Sequence, residues 1–227
     1  MNIKPKERRF ALVSKSRTFK KIVGDFSLSD KKVLDLGCSY GEYMVHFGPS
    51  SIGITANPAE VTIGKERGLD LRFGNVEELA KLNLPNDFDY IWANNLFEHL
   101  LSPHAFLMHL KAISKPECTL ILGVPVIPYP FSLTGFSKFR GAFSTAHINF
   151  FNWRTLKHTV EAAGWVVKDV RPFVSPVSAL DRILKPAMPH IYIIATNNSS
   201  FSYSADKIQE WRDVEHYKAL LDISDKK

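Results

Sequence analysis

The sequence predicts an α/β fold built on a doubly wound sheet of seven strands, and two observations lead to it. Short runs rich in β-branched residues alternate with stretches of helical periodicity, the order typical of strands joined by crossover helices. The chain has 227 residues, 45% of them hydrophobic, which is enough for one core and few for two. We therefore expect a single domain over residues 1–227.

Seven segments have the composition of buried strands. Each is short, rich in Val, Ile, Leu, Thr or aromatic residues, and bounded by turn-forming residues or charges. The predicted strands cover residues 32–36, 51–55, 69–73, 89–93, 119–124, 165–171 and 191–196.

Capping residues predict helices between these strands. Asn57 and Pro58 give an N-cap followed by proline at the first helical position, and Glu60 is placed to be the acid of a capping box. Two further helices are predicted to begin after Ser102 and after Asn152.

The basic charge is concentrated at the N-terminus. Residues 1–32 hold ten Lys and Arg against three acidic residues, so this segment carries +7 and the rest of the chain −1 of a net charge of +6. An amphipathic helix is predicted within an N-terminal helical extension, residues 1–30, from apolar residues at helical spacing: Phe19, Ile22, Val23 and Phe26. A solvated basic face explains the charge most simply, and contact with an anionic acceptor or peripheral contact with a membrane is the alternative.

Two segments interrupt the alternation. Residues 126–150 are expected to form an irregular insertion that acts as a lid over the acceptor, because long irregular segments are more often functional than decorative. Its aromatic residues are expected either to stack on a sugar or aryl ring or to form the core of the lid: Tyr129, Phe131, Phe136, Phe139 and Phe143.

The tail, residues 199–227, is predicted to be helical and to dock through one apolar face. Docking on its own domain and docking on a second copy in a homodimer both fit this pattern. The face comprises Ile208, Trp211, Val214, Tyr217 and Leu221.

Composition excludes several classes of protein. Cys38 and Cys118 make no disulfide framework, and the basic N-terminus leads into no apolar segment with a cleavage site, so the expected compartment is the cytoplasm. The longest apolar stretch, residues 119–131, is shorter than the ~20 residues of a spanning helix and contains three prolines. No membrane span is predicted.

The strongest motif is the glycine turn after the first strand, Asp35-Leu36-Gly37-Cys38-Ser39-Tyr40-Gly41. A buried strand is expected to enter this turn and continue into a helix, with glycines that let a ligand approach the backbone at the carboxyl end of the strand. Asp35 would repel a pyrophosphate and attract a cationic or amine-bearing cofactor. The three-glycine spacing of dinucleotide-binding turns is also absent.

With further motifs in order, these residues resemble the class I S-adenosylmethionine-dependent methyltransferases, in particular types 11 and 23. The resemblance covers about residues 30–196 and implies a Rossmann-like sheet whose last strand runs antiparallel between the fifth and sixth. The motifs are Gly53-Ile54-Thr55, Gly74-Asn75-Val76-Glu77, Phe88-Asp89-Tyr90-Ile91, Leu96-Phe97-Glu98-His99, Val124-Pro125 and His147-Ile148-Asn149-Phe150-Phe151.

The cofactor implied by the resemblance is S-adenosylmethionine. The residues expected to bind it are Asp35, Gly37, Cys38, Ser39, Gly41, Thr55, Ala56, Glu60, Asn75, Val76, Asn94 and His99. Cys38 has no cationic neighbour in sequence that would lower its pKa and is interpreted as a small packing residue of the turn.

Two positions depart from the family pattern. Thr55 stands where an acid usually accepts the ribose hydroxyls, and we expect Glu60 to take that contact, as in the similar variant of cyclopropane fatty acid synthases; the alternative is that Glu60 only completes the capping box. Asn75 stands where an Asp often accepts the adenine amino group, and its side-chain carbonyl can still accept that bond.

Glu98 and His99 resemble a segment that holds magnesium in some quinone-biosynthesis methyltransferases. Asn95 replaces a further carboxylate here, which leaves too few hard oxygen ligands, so no metal is predicted. Glu98 is instead expected to lie at a helix start and His99 to line the cofactor pocket. His147 is the predicted catalytic base or acceptor-orienting group, the alternative being that it only ties the insertion to the sheet.

Methyl transfer to a hydroxyl of a small molecule or glycan precursor is the predicted reaction. A nucleic-acid methyltransferase is an alternative favoured by the basic N-terminus, but Asn94-Asn95-Leu96-Phe97 replaces the Asn-Pro-Pro-aromatic motif of amino-methylating enzymes. A catalytically inactive S-adenosylmethionine-binding scaffold is the third alternative.

Overall fold

The computed structural model describes residues 5–212, and side chains from residue 6. It contains the seven predicted strands, each within two residues of its expected ends. They are β1 Val33–Leu36, β2 Ile52–Thr55, β3 Asp70–Phe73, β4 Tyr90–Asn94, β5 Thr119–Pro125, β6 Trp165–Arg171 and β7 His190–Asn197.

The strands form one sheet in the order β3-β2-β1-β4-β5-β7-β6. The first five are parallel, and β7 runs antiparallel between β5 and β6. This confirms the expected doubly wound α/β architecture. Strands β1 and β2 are buried along their whole length, so their carboxyl ends reach a ligand-binding edge from the middle of a rigid core.

Seven α-helices accompany the sheet within the described residues. They are α1 Pro5–Lys15, α2 Arg17–Phe26, α3 Pro58–Glu66, α4 Pro103–Ala112, α5 Trp153–Ala162, α6 Ser178–Leu184 and α7 Ala205–Arg212. None of the described helices is long and apolar enough to cross a membrane.

The connection between β1 and β2 contains no α-helix, so the prediction of a helix after the glycine turn was wrong. This stretch makes turns and a single 3₁₀ turn at Met44–His46. Gly41 takes a φ of +84°, which breaks a helical run, and Gly48 lies so close to the Lys31 backbone that a Cβ would sit 2.5 Å from its nitrogen. The short return to β2 leaves no room for a helix.

Helix α2 packs against one face of the sheet. Its buried Phe19 and Ile22 share a core cluster with residues of β1, β4 and β7, including Val33, Trp92 and Tyr192. The predicted amphipathic helix is therefore confirmed, and it is an integral layer of the fold.

Two predicted helix starts carry the expected caps. Asn57 accepts from the Ala59 N–H, and Asn152 accepts from the backbone of α5 in a capping box with Thr155. The capping box expected for Glu60 was wrong: the Asn57 N–H donates to the Thr55 hydroxyl instead.

The insertion lies beyond the carboxyl end of β5 and consists of three 3₁₀ turns, Phe131–Gly135, Ser137–Phe139 and Gly141–Phe143. Four of its five candidate aromatic residues are exposed and Phe139 is half-buried, so they do not form the core of a lid. Exposure instead leaves them free to contact another molecule.

The described part of the tail docks on its own chain. The buried Trp211 ring lies 4.7 Å from Tyr203 and 6.4 Å from His104 of α4, measured between ring centroids. Ile208 is half-buried on the same helix. The rest of the predicted apolar face lies outside the described residues: Val214, Tyr217 and Leu221.

Candidate active site

The glycine turn is held by the neighbouring strand. The N–H groups of Gly37 and Cys38 both donate to the Ile54 carbonyl, at 2.9 and 3.0 Å, and Gly41 closes the turn by donating to Cys38 at 2.9 Å. Gly37 has a φ of +74°, and a Cβ there would lie 3.1 Å from the Leu96 side chain. The turn is thus fixed in a conformation that only glycine adopts without strain.

Three carboxyl groups surround this turn. Asp35 and Glu42 are almost completely buried, and Ser39 donates to Glu60 at 3.2 Å. Burial raises the pKa of Asp35 and of Glu42, and Glu42 adds to the rise at Asp35. Arg9 of α1 pairs with Glu42 at 2.9 Å. One oxygen each of Asp35 and Glu42 has no hydrogen-bond partner in the structure. This carboxyl-lined, incompletely satisfied surface suits a cationic ligand, whose charge would favour the ionised forms.

Cys38 contributes its backbone to the turn and its side chain to the core. Burial, and then the carboxylates of Asp35, Glu60 and Glu42, raise the pKa of its thiol. Its side chain packs with Met44 and Leu71. The interpretation of Cys38 as a packing residue fits these contacts.

Two hydroxyl groups hold the Glu60 side chain at the end of β2. Its carboxylate accepts from Thr55 as well as from Ser39, so α3, β2 and the glycine turn meet at one carboxylate. Ala56, next to Thr55, is exposed. The Glu60 carboxylate therefore lies at the carboxyl end of β2, beside the glycine turn.

An amide side chain follows the third strand, at Asn75, and another ends the fourth, at Asn94. Asn75 is exposed and caps a 3₁₀ helix by accepting from the Glu77 N–H at 3.0 Å, while Val76 beside it is half-buried. Asn94 donates to the Tyr43 hydroxyl at 2.9 Å, and its side-chain oxygen is buried without a partner. An adenine contact at Asn75 would have to use the second lone pair of an oxygen that already caps a helix.

Glu98, His99 and His147 meet on the side of the insertion. The Nε2 atoms of both histidines lie 3.8 Å from Glu98 Oε1, too long for hydrogen bonds, and neither carboxylate oxygen has a hydrogen-bond partner among the described residues. Glu98 is 1% exposed and His147 11%. Burial is the largest effect on Glu98 and raises its pKa, while the two imidazoles act to lower it.

The two rings are oriented by backbone carbonyls. His99 Nδ1 lies 3.0 Å from the Ala146 oxygen and His147 Nδ1 lies 3.2 Å from the Ala142 oxygen. Because a carbonyl only accepts, Nδ1 carries the proton in each pair and Nε2 is left as the acceptor of a neutral ring. The structure thus places His99 beside His147, at the insertion.

The same three side chains could hold a metal ion, since their ligand atoms lie within 4.8 Å of one another. Two imidazoles and one carboxylate suit zinc or another first-row transition ion, whereas magnesium prefers an all-oxygen set. Asn95 does not join them, because its side-chain oxygen accepts from His190 Nε2 at 3.0 Å.

The family of the chain follows from a profile match. A profile of the type 23 family, described as a methyltransferase domain, matches residues 7–170. The chain belongs to this family. The prediction of a class I S-adenosylmethionine-dependent methyltransferase is thereby confirmed, and the family implies S-adenosylmethionine as the cofactor.

Individual relatives of this methyltransferase match over shorter stretches. The mitochondrial ubiquinone biosynthesis O-methyltransferase of Schizosaccharomyces pombe is 31% identical over 106 residues, which is 41% of this chain and 38% of that protein. The norajmaline N-methyltransferase of Rauvolfia serpentina is 27% identical over 122 residues, or 49% of this chain and 41% of that protein. The aligned part thus spans about two-fifths of each relative.

Solved structures show the same fold. A SAM-dependent methyltransferase from Archaeoglobus fulgidus superposes with a TM-score of 0.58 and 18% identity, covering 86% of this chain and all of that one. At this identity, the similarity establishes the architecture of the methyltransferase and leaves its acceptor open.

Two residues of the site, Glu42 and Tyr43, were not predicted from the sequence. Glu42 stands directly after the glycine motif, and an acid at that position was the available signal. Tyr43 gave none, because its partner Asn94 lies 51 residues away in sequence.

Proposed function

We propose that this methyltransferase transfers the methyl group of S-adenosylmethionine to a hydroxyl of a small-molecule or glycan acceptor. The observation that carries the proposal is the pairing of an oriented histidine, His147, with the buried carboxylate of Glu98 on the side of the sheet edge from which the insertion emerges. The incomplete hydrogen bonding of Asp35, Glu42 and Asn94 supports the assignment of this region as the cofactor-binding part of the site.

In this proposal the cofactor is held by the glycine turn and its neighbours. Bound S-adenosylmethionine supplies an already activated methyl group, so the protein has to position the acceptor, exclude water and remove a proton. Asp35 would face its cationic part, Glu60 would accept from the ribose hydroxyls, and Asn75 would accept from the adenine amino group.

His147 takes the proton of the acceptor hydroxyl on Nε2. The hydrogen bond from Nδ1 to Ala142 fixes the tautomer that leaves Nε2 free to accept, and the Glu98 carboxylate stabilises the imidazolium that results. His99 packs edge-on against this ring, with centroids 4.7 Å apart, and limits its rotation.

The test is product formation. Calorimetric titration with S-adenosylmethionine and with S-adenosylhomocysteine measures cofactor binding, and release of S-adenosylhomocysteine is then followed with phenols, sugars and amines as acceptors. Turnover with hydroxyl acceptors supports the proposal. Turnover confined to amines, or binding without turnover on any acceptor class, contradicts it.

Gly37→Val is expected to abolish cofactor binding and leave a folded protein. The added side chain would enter the turn beside Leu96 and displace the backbone that approaches the ligand. Gly68→Val is the matched control, since Gly68 has a φ of +73° and, apart from its chain neighbours, no described atom lies within 4 Å of the position that a Cβ would take. Both changes cost about 1–2 kcal/mol of backbone strain. Equal affinities of the two variants in a calorimetric titration would rule out the turn as the binding site.

Glu60→Ala is expected to weaken cofactor binding by ~1.5–3 kcal/mol, the scale of a charge-assisted hydrogen bond. Its thermal stability should change little, since the carboxylate caps no helix. Glu66→Ala, at an exposed position of the same helix, is the control. Intact affinity combined with a lower melting temperature would show that Glu60 only holds Thr55 and Ser39.

A further inference from the structure

The insertion presents an aromatic face to solvent. Five of the six exposed Phe, Tyr and Trp side chains in the described part of the chain lie within residues 126–150, and Ile148 joins them. We call this set the aromatic face: Tyr129, Phe131, Phe136, Phe143, Ile148 and Phe150. Concentrated apolar exposure of this kind marks an interaction surface.

The aromatic face is partly continuous and borders a cavity. The Phe143 ring lies 6.1 Å from Phe131 and 6.2 Å from Phe150, between centroids. Tyr129, Phe131 and Phe150 also line a cavity of about 660 Å³ together with Trp153 and Pro186.

The charge around this face has one sign. No Asp or Glu occurs between Glu117 and Glu161. Lys138, Arg140 and Arg154 are exposed within that stretch, and none of them pairs with an acidic side chain of the described residues. A surface of apolar rings and unpaired cations complements an anionic, partly apolar partner.

The segment between β6 and β7 extends the surface. Its exposed aliphatic residues are Val174, Val177, Leu180 and Ile183. The single acid here, Asp181, is fully buried and accepts from the backbone N–H groups of Val174 and Ser175. The Pro186 end of this segment adjoins the aromatic face, because the Tyr129 N–H donates to the Pro186 carbonyl.

We propose that the aromatic face docks the protein on an anionic lipid bilayer. The rings and aliphatic side chains enter the headgroup region while Lys138, Arg140 and Arg154 lie beside lipid phosphates. A second copy of the chain fits less well, because a twofold contact through this face would bring like charges together. Single-stranded nucleic acid would leave the aliphatic part of the surface unused, since bases stack on aromatic rings.

The N-terminal helices lack this combination. Leu12 is the one large apolar side chain exposed on described α1 and α2, and two of their cations are already paired, Arg9 with Glu42 and Lys21 with Asp25. The cations there have almost no apolar anchor beside them, so the docking surface is assigned to the insertion.

The experiment is sedimentation of the whole chain with vesicles of phosphatidylcholine alone or mixed with phosphatidylglycerol. Binding to the anionic vesicles is expected to be about tenfold stronger and to fall at high salt. Phe131→Ser with Phe136→Ser, and separately Lys138→Glu with Arg140→Glu, should each weaken it about tenfold. Phe73→Ser, another exposed aromatic, and Lys15→Glu with Lys20→Glu are the matched controls and should bind like the parent.

Three results would overturn the proposal. The first is equal sedimentation of the parent and both insertion variants, and the second is loss of binding in the N-terminal control alone. The third is occupancy of the face by another partner, seen as a dimer in light scattering that the Phe131 and Phe136 changes dissociate, or as single-stranded RNA bound in place of vesicles. Unchanged circular dichroism of every variant verifies that the exposed substitutions leave the fold intact.

Discussion

His147→Gln is expected to lower methyl-transfer turnover by about 10²–10⁴-fold while affinity for S-adenosylmethionine stays nearly unchanged. Glutamine keeps much of the volume and a donor for the Ala142 carbonyl, but it removes the basic Nε2 that faces Glu98. Release of S-adenosylhomocysteine at saturating cofactor and acceptor measures the loss, and calorimetry measures the affinity.

Two histidines serve as controls for this change. His158→Gln lies at an exposed position of α5 and should be silent. Desolvation lowers the pKa of His190 to about 4, so this residue is neutral at physiological pH, and His190→Gln should leave turnover within a few-fold. A larger loss of turnover in His190→Gln than in His147→Gln would show that His190 of β7, and not His147, is the catalytic base.

The pH dependence and the response to a chelator separate the remaining roles of His147. If His147→Gln keeps rates within a few-fold of the parent across pH, the role of His147 is structural, and it only connects the insertion to the sheet. Turnover that a chelator abolishes and zinc restores would make Glu98, His99 and His147 a ligand set, and the assignment of His147 as base would then fail.

Phe19→Ala is expected to lower the free energy of unfolding by about 3–5 kcal/mol, the usual cost of removing a buried aromatic side chain. Phe19 is 2% exposed, and its ring lies 5.0 Å from Tyr43, 5.3 Å from His46 and 5.5 Å from Trp92. Urea denaturation followed by circular dichroism measures the change.

Leu12→Ala in α1 is the control for Phe19→Ala, because Leu12 is mostly exposed and should shift stability by no more than about 0.5 kcal/mol. A loss as small as this in Phe19→Ala itself would mean that α2 is a loosely attached extension.

Local patterns predicted the strands and caps because those features are decided by neighbours in sequence. The sixth strand, Trp165–Arg171, has the predicted ends, and Asn57 and Asn152 cap the helices they were expected to begin. The prediction of a helix after β1 was wrong because of a tertiary contact. Gly48 packs on the Lys31 backbone, and sequence periodicity does not reveal such a contact.

The site was predictable where its residues follow strand ends. The glycine turn and Glu60 do meet at the ends of β1 and β2. The proximity of Glu98 to His147 was not predictable, because they lie 49 positions apart in sequence and the insertion that brings them together contains only short 3₁₀ turns. The same is true of Tyr43 and Asn94, which join opposite parts of the chain.

The position of α2 has a consequence for biosynthesis. This helix leaves the ribosome before the strands it packs on, and the cluster that buries Phe19 and Ile22 includes Trp92 of β4 and Tyr192 of β7, which are made much later. Its apolar side therefore has no native partner while most of the chain is being translated, and the sheet face beneath it closes only when β7 has emerged. During that interval the nascent chain exposes a short cationic, amphipathic segment, the kind of sequence to which holding chaperones bind.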